Sequence, residues 1–340
     1  MDEPQINLES PAVPDSPSPK LAPDFAAASQ PSYSRVLFLG ANGLRPGWGF
    51  AFYAVMFYVL QRFTSSWGSE LTRLWPALSP RLLDAAFEMA SLVAAFVPAL
   101  LLATIEKRPW GVYGLPIHRA FGKLFWLGAF WGFSGITILI VALYGLHDFD
   151  FGGVALHGMR VAKLAAYWAM LFLLVGLFEE FLLRGCSQFT LARGIGFWPA
   201  AATLSITFGL FHLQNEGEHW RGLLAAAGIG FFFCLTLRRT GSLWFAVGFH
   251  AAWDWGETFF YSVPDSGIVY PRQQLLSSSL HGSSWLTGGT VGPEGSALCW
   301  VLIAVLWIAF DRTFPRATPP DSLDRSSDSG VTFPSAKSIR

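Results

Sequence analysis

The sequence predicts an all-α polytopic membrane protein, a bundle of about eight transmembrane helices built around an intramembrane polar site. Three observations predict it. Hydrophobic residues make up 52% of the 340-residue chain and charged residues only 14%, against roughly 25% charged in an ordinary soluble domain. The apolar residues are blocked into runs that approach the ~20 residues a hydrocarbon core asks for. Ionisable residues enter those runs in short motifs, and each such group costs about 2.5–3.5 kcal/mol at the middle of a membrane helix. A chain that carries six of them in three helices gains a site in return.

Residues 1–40 come first and are a different material, with seven prolines among Ser, Ala and acidic residues. That composition cannot bury a core and reads as a disordered tail. It has neither the basic start nor the apolar stretch of a secretory signal. The transmembrane domain is expected over 41–315, with candidate spans at 48–63, 85–105, 124–144, 164–184 (continuing as helix to 192), 196–213, 223–237, 243–261 and 296–310. The first and last are short for a bilayer, so seven spans is the alternative count. Trp48, Trp220 and Trp244 stand at span ends, where aromatic belts form. The segment 108–116 is expected to lie along the membrane surface between the second and third spans. The Ser- and Asp-rich segment 316–340 is a second disordered tail.

Eight spans put eleven Lys and Arg residues on the side of the termini and seven on the other, which places both termini in the cytoplasm by the positive-inside rule. Net charge is zero and no dense basic run occurs, which argues against a nucleic-acid partner. Cys186, Cys234 and Cys299 fall in apolar helical context without a CxxC pair, the setting of buried structural thiols.

The motif core, 160–261, holds three polar pairs at i, i+4 spacing: Glu180 with Arg184, Phe208 with His212, and His250 with Asp254. Residues four apart stack on one helix face. Glu180 and Arg184 can therefore pair, while Glu179, about 100° round the helix, points elsewhere and is free to act as a general base on water. Phe208 puts an aromatic wall one turn from the His212 imidazole, and Asp254 can orient the His250 ring. Plain alternatives exist for each: a helix-end ion pair with Arg184 snorkelling, and core histidines bonded to neighbouring helices. Three such pairs in succession favour a site. Glu88, near one end of the second span, reads as interfacial. The histidines at 118, 147, 157 and 281 read as loop residues, and His219, closest in sequence to the site, is a candidate for its mouth.

The order Glu-Glu-x-x-x-Arg, Phe-x-x-x-His, His-x-x-x-Asp resembles the CPBP family of intramembrane proteases, which includes the type II CAAX prenyl proteases. Arg184-Gly185, 208–213 and 239–243 are similar to phrases of its bacterial members. The resemblance covers about 110–261 and leaves out both tails and the loop 262–295. It implies peptide hydrolysis within the membrane, with Glu179 and His212 activating water, His250 and residue 254 stabilising the oxyanion, and Glu180, Arg184 and Phe208 in support. It further implies a membrane-associated peptide or protein substrate, lipidated or not, surrounding lipids as the other partner, and a bacterial inner membrane as the location.

Position 254 departs from the Asn of eukaryotic members. An ionised carboxylate cannot donate to an oxyanion, so Asp254 is protonated, orients His250 or binds a metal. The metal question stays open at this level. His212, His250 and a carboxylate from Glu179 or Asp254 would suit catalytic zinc, but no HExxH helix is present, and the balance favours glutamate-activated water with no cofactor required. Two rivals stand beside the enzyme: a non-catalytic scaffold or bacteriocin-immunity protein of the same fold, and a transporter, which the lack of an internal repeat disfavours.

Overall fold

The computed structural model describes residues 37–40, 43–270 and 273–314. The tails expected over 1–40 and 316–340 lie outside the described residues apart from 37–40, where Leu39–Gly40 (β1) pairs antiparallel with Gly43–Leu44 (β2).

Each of the eight expected apolar runs folds as helix. In chain order these are α1 Pro46–Leu74, α2 Pro80–Ile105, α3 Lys123–Gly145, α4 Met159–Glu180, α5 Gln188–Ile195, α6 Phe197–Phe211, α7 Trp220–Thr240, α8 Trp244–Trp255 and, after a one-turn helix α9 Ser284–Thr287, α10 Ala297–Thr313. The seventh run continues past α8 as a π-helical stretch, Gly256–Tyr261. Proline opens α1 and α2, where a missing N–H costs nothing. Gly241, in the left-handed region at φ +66°, closes α7.

Among the described residues, four helical stretches are long and apolar enough to cross a membrane: α2, α3, the continuous run from α4 through α5 (Met159–Ile195), and α7. Phe130, Ile138, Ile206 and Val301 stay exposed, as apolar side chains facing lipid do.

Loop contacts sort the helix ends into two groups. At the first end, Glu106 accepts from Arg193 at 2.8 Å and pairs with Arg108 at 2.9 Å, Leu243 N donates to Gly114 O at 2.8 Å, and Arg239 pairs with Asp311. The segment 108–116 belongs here. Within it Tyr113 and Leu115 are buried in the core, while Pro109 and Gly111 stay exposed. At the second end, β3 (Phe149–Asp150) pairs with β4 (Ser279–Leu280), Asn215 Nδ2 donates to Ser266 O at 2.8 Å, and Arg221 donates to Ser284 O. The described parts of the loop 262–296 are therefore folded down onto the helix ends.

Helices α3 and α8 pack backbone against backbone. Gly128 and Gly132 on α3 face the Phe245 and Phe249 carbonyls, and Gly248 on α8 faces the Phe125 carbonyl, so a Cβ at any of the three would collide with backbone. Small residues that let backbones touch are the main source of helix association in lipid, where apolar burial gives little. This contact fixes α8, and with it His250 and Asp254.

Candidate active site

The three motifs converge on one cavity of about 380 Å³, lined among others by Glu179, Phe208, His212, His250 and Asp254. Its position follows from local chain geometry. The run from α4 to α5 does not continue as ideal α-helix after Glu180: Phe181–Ser187 is π-helical, with a kink at Gly185, whose ψ of −116° is not helical. Such π segments widen the turn and mark functional stretches of helices. Gly176, one turn before Glu179, lies 3.3 Å by an added Cβ from Val247 O and 3.5 Å from the His250 Cβ, which brings α4 against α8 at the motif level.

The two adjacent glutamates part as the helix wheel requires. Glu180 is fully buried, and its Oε1 accepts from Arg184 Nη1 at 3.1 Å and from His250 Nδ1 at 3.1 Å. Glu179 lines the cavity with its side chain 27% exposed and its Oε2 3.6 Å from His250 Nε2. Asp254 Oδ2 reaches the same nitrogen at 3.5 Å. One imidazole thus stands among three carboxylates, and only Glu180 is within direct hydrogen-bond range. The bond to Glu180 places a proton on Nδ1 and aims Nε2 into the cavity.

Arg184, also fully buried, fits because residue 230 is glycine: a Cβ there would run into its guanidinium. Its Cζ lies 4.3 Å over the Phe208 ring and 5.8 Å over Phe233, a cation–π setting that is strong when desolvated. Phe208 is thus shared, meeting Arg184 on one side and the His212 ring edge-on at 4.8 Å. His212 sits where α6 tightens into a 3-10 turn. Its backbone N–H goes to Gly209 O and Leu210 O, and its Nδ1 donates to Phe208 O at 2.9 Å. This leaves Nε2 as the lone-pair nitrogen, the tautomer of a base or a ligand.

Other lining residues were not singled out from sequence. Glu88, read as interfacial, lines the same cavity as Glu179. Asp265, Ser266 and Glu294 come from the loop 262–296, so a segment outside the motifs forms part of the wall. Burial and the neighbouring Glu294 carboxylate push the Asp265 carboxyl up to about 8. Glu257, fully buried one turn beyond Asp254, closes this acidic group. Spacing could have flagged it: 250, 254 and 257 share a helix face. His219 is not among the lining residues; it caps α7 by accepting from Arg221 N.

Oxygen and nitrogen donors that lie within 4.8 Å of one another in a set of three, among the described residues, belong to Glu257, Asp265 and Glu294. The zinc set weighed from the sequence, His212 and His250 with Glu179 or Asp254, does not gather to that extent.

Residues 161–256 match the family model described as type II CAAX prenyl endopeptidase Rce1-like. No curated protein and no solved structure matches the chain. The matched segment holds all three motifs, so the family resemblance they carry holds over 161–256, and with its long apolar helices the chain is an integral membrane protein.

Proposed function

We propose that the protein is an intramembrane endopeptidase that cleaves a peptide bond of a membrane-associated protein or peptide, lipidated or not. The observation that carries this reading is the separation of Glu179 from Glu180: the first faces the cavity and His250 Nε2 at 3.6 Å, the second is buried against Arg184 and His250. Water held between Glu179 and the lone pair of His212 Nε2 loses a proton to Glu179 and attacks the carbonyl carbon. His250, whose Nδ1–H is held by Glu180, acts in its doubly protonated imidazolium form and offers Nε2–H to the developing oxyanion, in a water-poor site where such a bond counts for more than in bulk water. Asp254, 3.5 Å from the same nitrogen, orients the ring or donates as the protonated acid. Glu179 then returns its proton to the leaving amine. No metal enters this scheme, because the residues that face the carbonyl supply both base and donors.

In this reading all eight long helical runs cross the bilayer, and both termini lie on the cytoplasmic side of a bacterial inner membrane. The cavity wall then includes a loop on the opposite face, so substrate would be met in the outer half of the bilayer. The test is cleavage of matched lipidated and unlipidated peptides by the detergent-purified protein, with Glu179→Gln as control. Cleavage abolished in the folded variant supports the proposal. Equal cleavage by the variant sinks it, and peptide binding without cleavage by the unaltered protein favours the scaffold reading.

A further inference from the structure

At the second end of the bundle, Glu257 from the π-helical stretch after α8 meets Asp265 and Glu294 from the loop 262–296, with one carboxylate oxygen of each within 4.8 Å of the others. Among the described residues no Lys or Arg forms an ion pair with any of the three. Two of them are held in place by donors. Glu294 accepts from Trp253 Nε1 at 3.1 Å, from Ser266 N at 3.1 Å and from Ser266 Oγ at 2.6 Å. Asp265 accepts from Thr258 Oγ1 at 3.0 Å through Oδ2.

Glu257 is the independent sign of a ligand. Its exposure is 0%, and neither of its oxygens has a hydrogen bond of good geometry: the Trp253 indole N–H beside it is given to Glu294 Oε1 at 3.1 Å. A buried carboxylate without a well-formed hydrogen bond or a countercharge bears its desolvation cost, yet this one points at two more carboxylates. A cation placed among them removes that cost for all three at once. The donor set is oxygen only, which suits hard cations and not zinc or copper. Calcium takes six to eight oxygens at about 2.3–2.6 Å, tolerates irregular shells and accepts carboxylates in either one- or two-oxygen mode, so oxygens within 4.8 Å of one another are the separation it bridges.

We propose that Glu257, Asp265 and Glu294 form a binding site for a hard divalent cation of the calcium class, which ties the loop 262–296 to the end of α8. Asp265, Ser266 and Glu294 also line the large cavity, so the ion fixes one wall of it. The site lies outside the matched family segment, which stops at residue 256, and it does not depend on the peptidase reading.

Trp253, bonded to a ligand carboxylate, supplies the probe. The full-length protein in detergent is stripped with a chelator and titrated with terbium(III), which occupies calcium sites and emits when a nearby tryptophan is excited. Saturable emission, displaced by calcium at lower concentration than by magnesium, is expected. So is an upward shift of the thermal midpoint on adding calcium to the stripped protein. Glu257→Gln and Asp265→Asn should each weaken terbium binding at least tenfold, while Asp150→Asn, at an exposed residue that pairs with His281, should leave it unchanged. Absence of saturable emission from the unaltered protein would overturn the proposal, as would emission indifferent to both ligand variants or displaced best by zinc. A Glu257→Gln variant that is more stable than the unaltered protein, where calcium shifts neither, would show that the cluster holds protons instead. The two ligand variants and the midpoint shift keep the test decisive if one variant fails to fold.

Discussion

The two ends of the bundle handle buried carboxylates in opposite ways. At the first end the Glu106 side chain, 1% exposed, is met by Arg193 and Arg108 at 2.8 and 2.9 Å, so its charge is cancelled by residues from the same fold. At the second, Glu257, Asp265 and Glu294 have hydrogen-bond donors at most and no basic partner among the described residues. The motif cluster between them combines both styles. Arg184 pairs with Glu180, and the two carboxyls left without an arginine, Glu179 and Asp254, gather round His250 in the cavity. A compensated carboxylate fastens helices together. An uncompensated one in a cavity waits for a proton, a cation or a substrate.

Breaking the uncompensated side should have the largest effect on activity. Glu179→Gln is expected to lower kcat/KM by about 10²–10⁴, the usual share of a general base, with a melting temperature in detergent close to that of the unaltered protein. A folded variant with more than a tenth of the original activity would remove Glu179 from the reaction.

Breaking compensation should instead strike stability. Arg184→Ala strands the buried Glu180 and is expected to cost about 3–5 kcal/mol, read as a lowered melting temperature and reduced yield in the membrane fraction. Gly230→Ala tests the same contact from the opposite helix, since its methyl would displace the guanidinium; it should be destabilising in the same direction, and an unchanged melting temperature would show that Arg184 has another place to go.

At the first end, Glu106→Gln keeps the shape and loses the charge. Its arginine partners are partly exposed, with side chains 16% and 30% accessible, so water takes over some of the pairing and the cost should be nearer 1–2 kcal/mol. Peptide cleavage by the folded variant should be unaffected, which separates a fastening carboxylate from a working one. Among the residues round His250, the smallest effect on activity is expected at position 254. Asp254→Asn preserves the size of the side chain beside His250 and can donate to an oxyanion, so activity should stay within about tenfold; a loss as deep as that of Glu179→Gln would mean that the ionised carboxylate itself does chemistry.

The sequence by itself determined the helices and the first layer of the site. Apolar runs fix where helix forms because a hydrocarbon environment demands internal backbone hydrogen bonding, and i, i+4 spacing fixes which motif side chains share a face. That is why the spacing alone pairs Glu180 with Arg184 and turns Glu179 away from them. Tertiary structure alone decided what lies across from those faces. The bond from His250 to Glu180 spans 70 residues, and that from Trp253 to Glu294 spans 41, distances over which no local pattern reports. Nothing local marks Gly230 as the space that Arg184 fills, and Glu88 reads as interfacial until α2 is packed against α4. The loop 262–296 is the clearest case. It lies outside the motifs, yet it folds onto the cavity, where Glu294 accepts from Trp253 and Ser266 O accepts from Asn215, and where an irregular loop settles is set by the donors and acceptors other elements leave open.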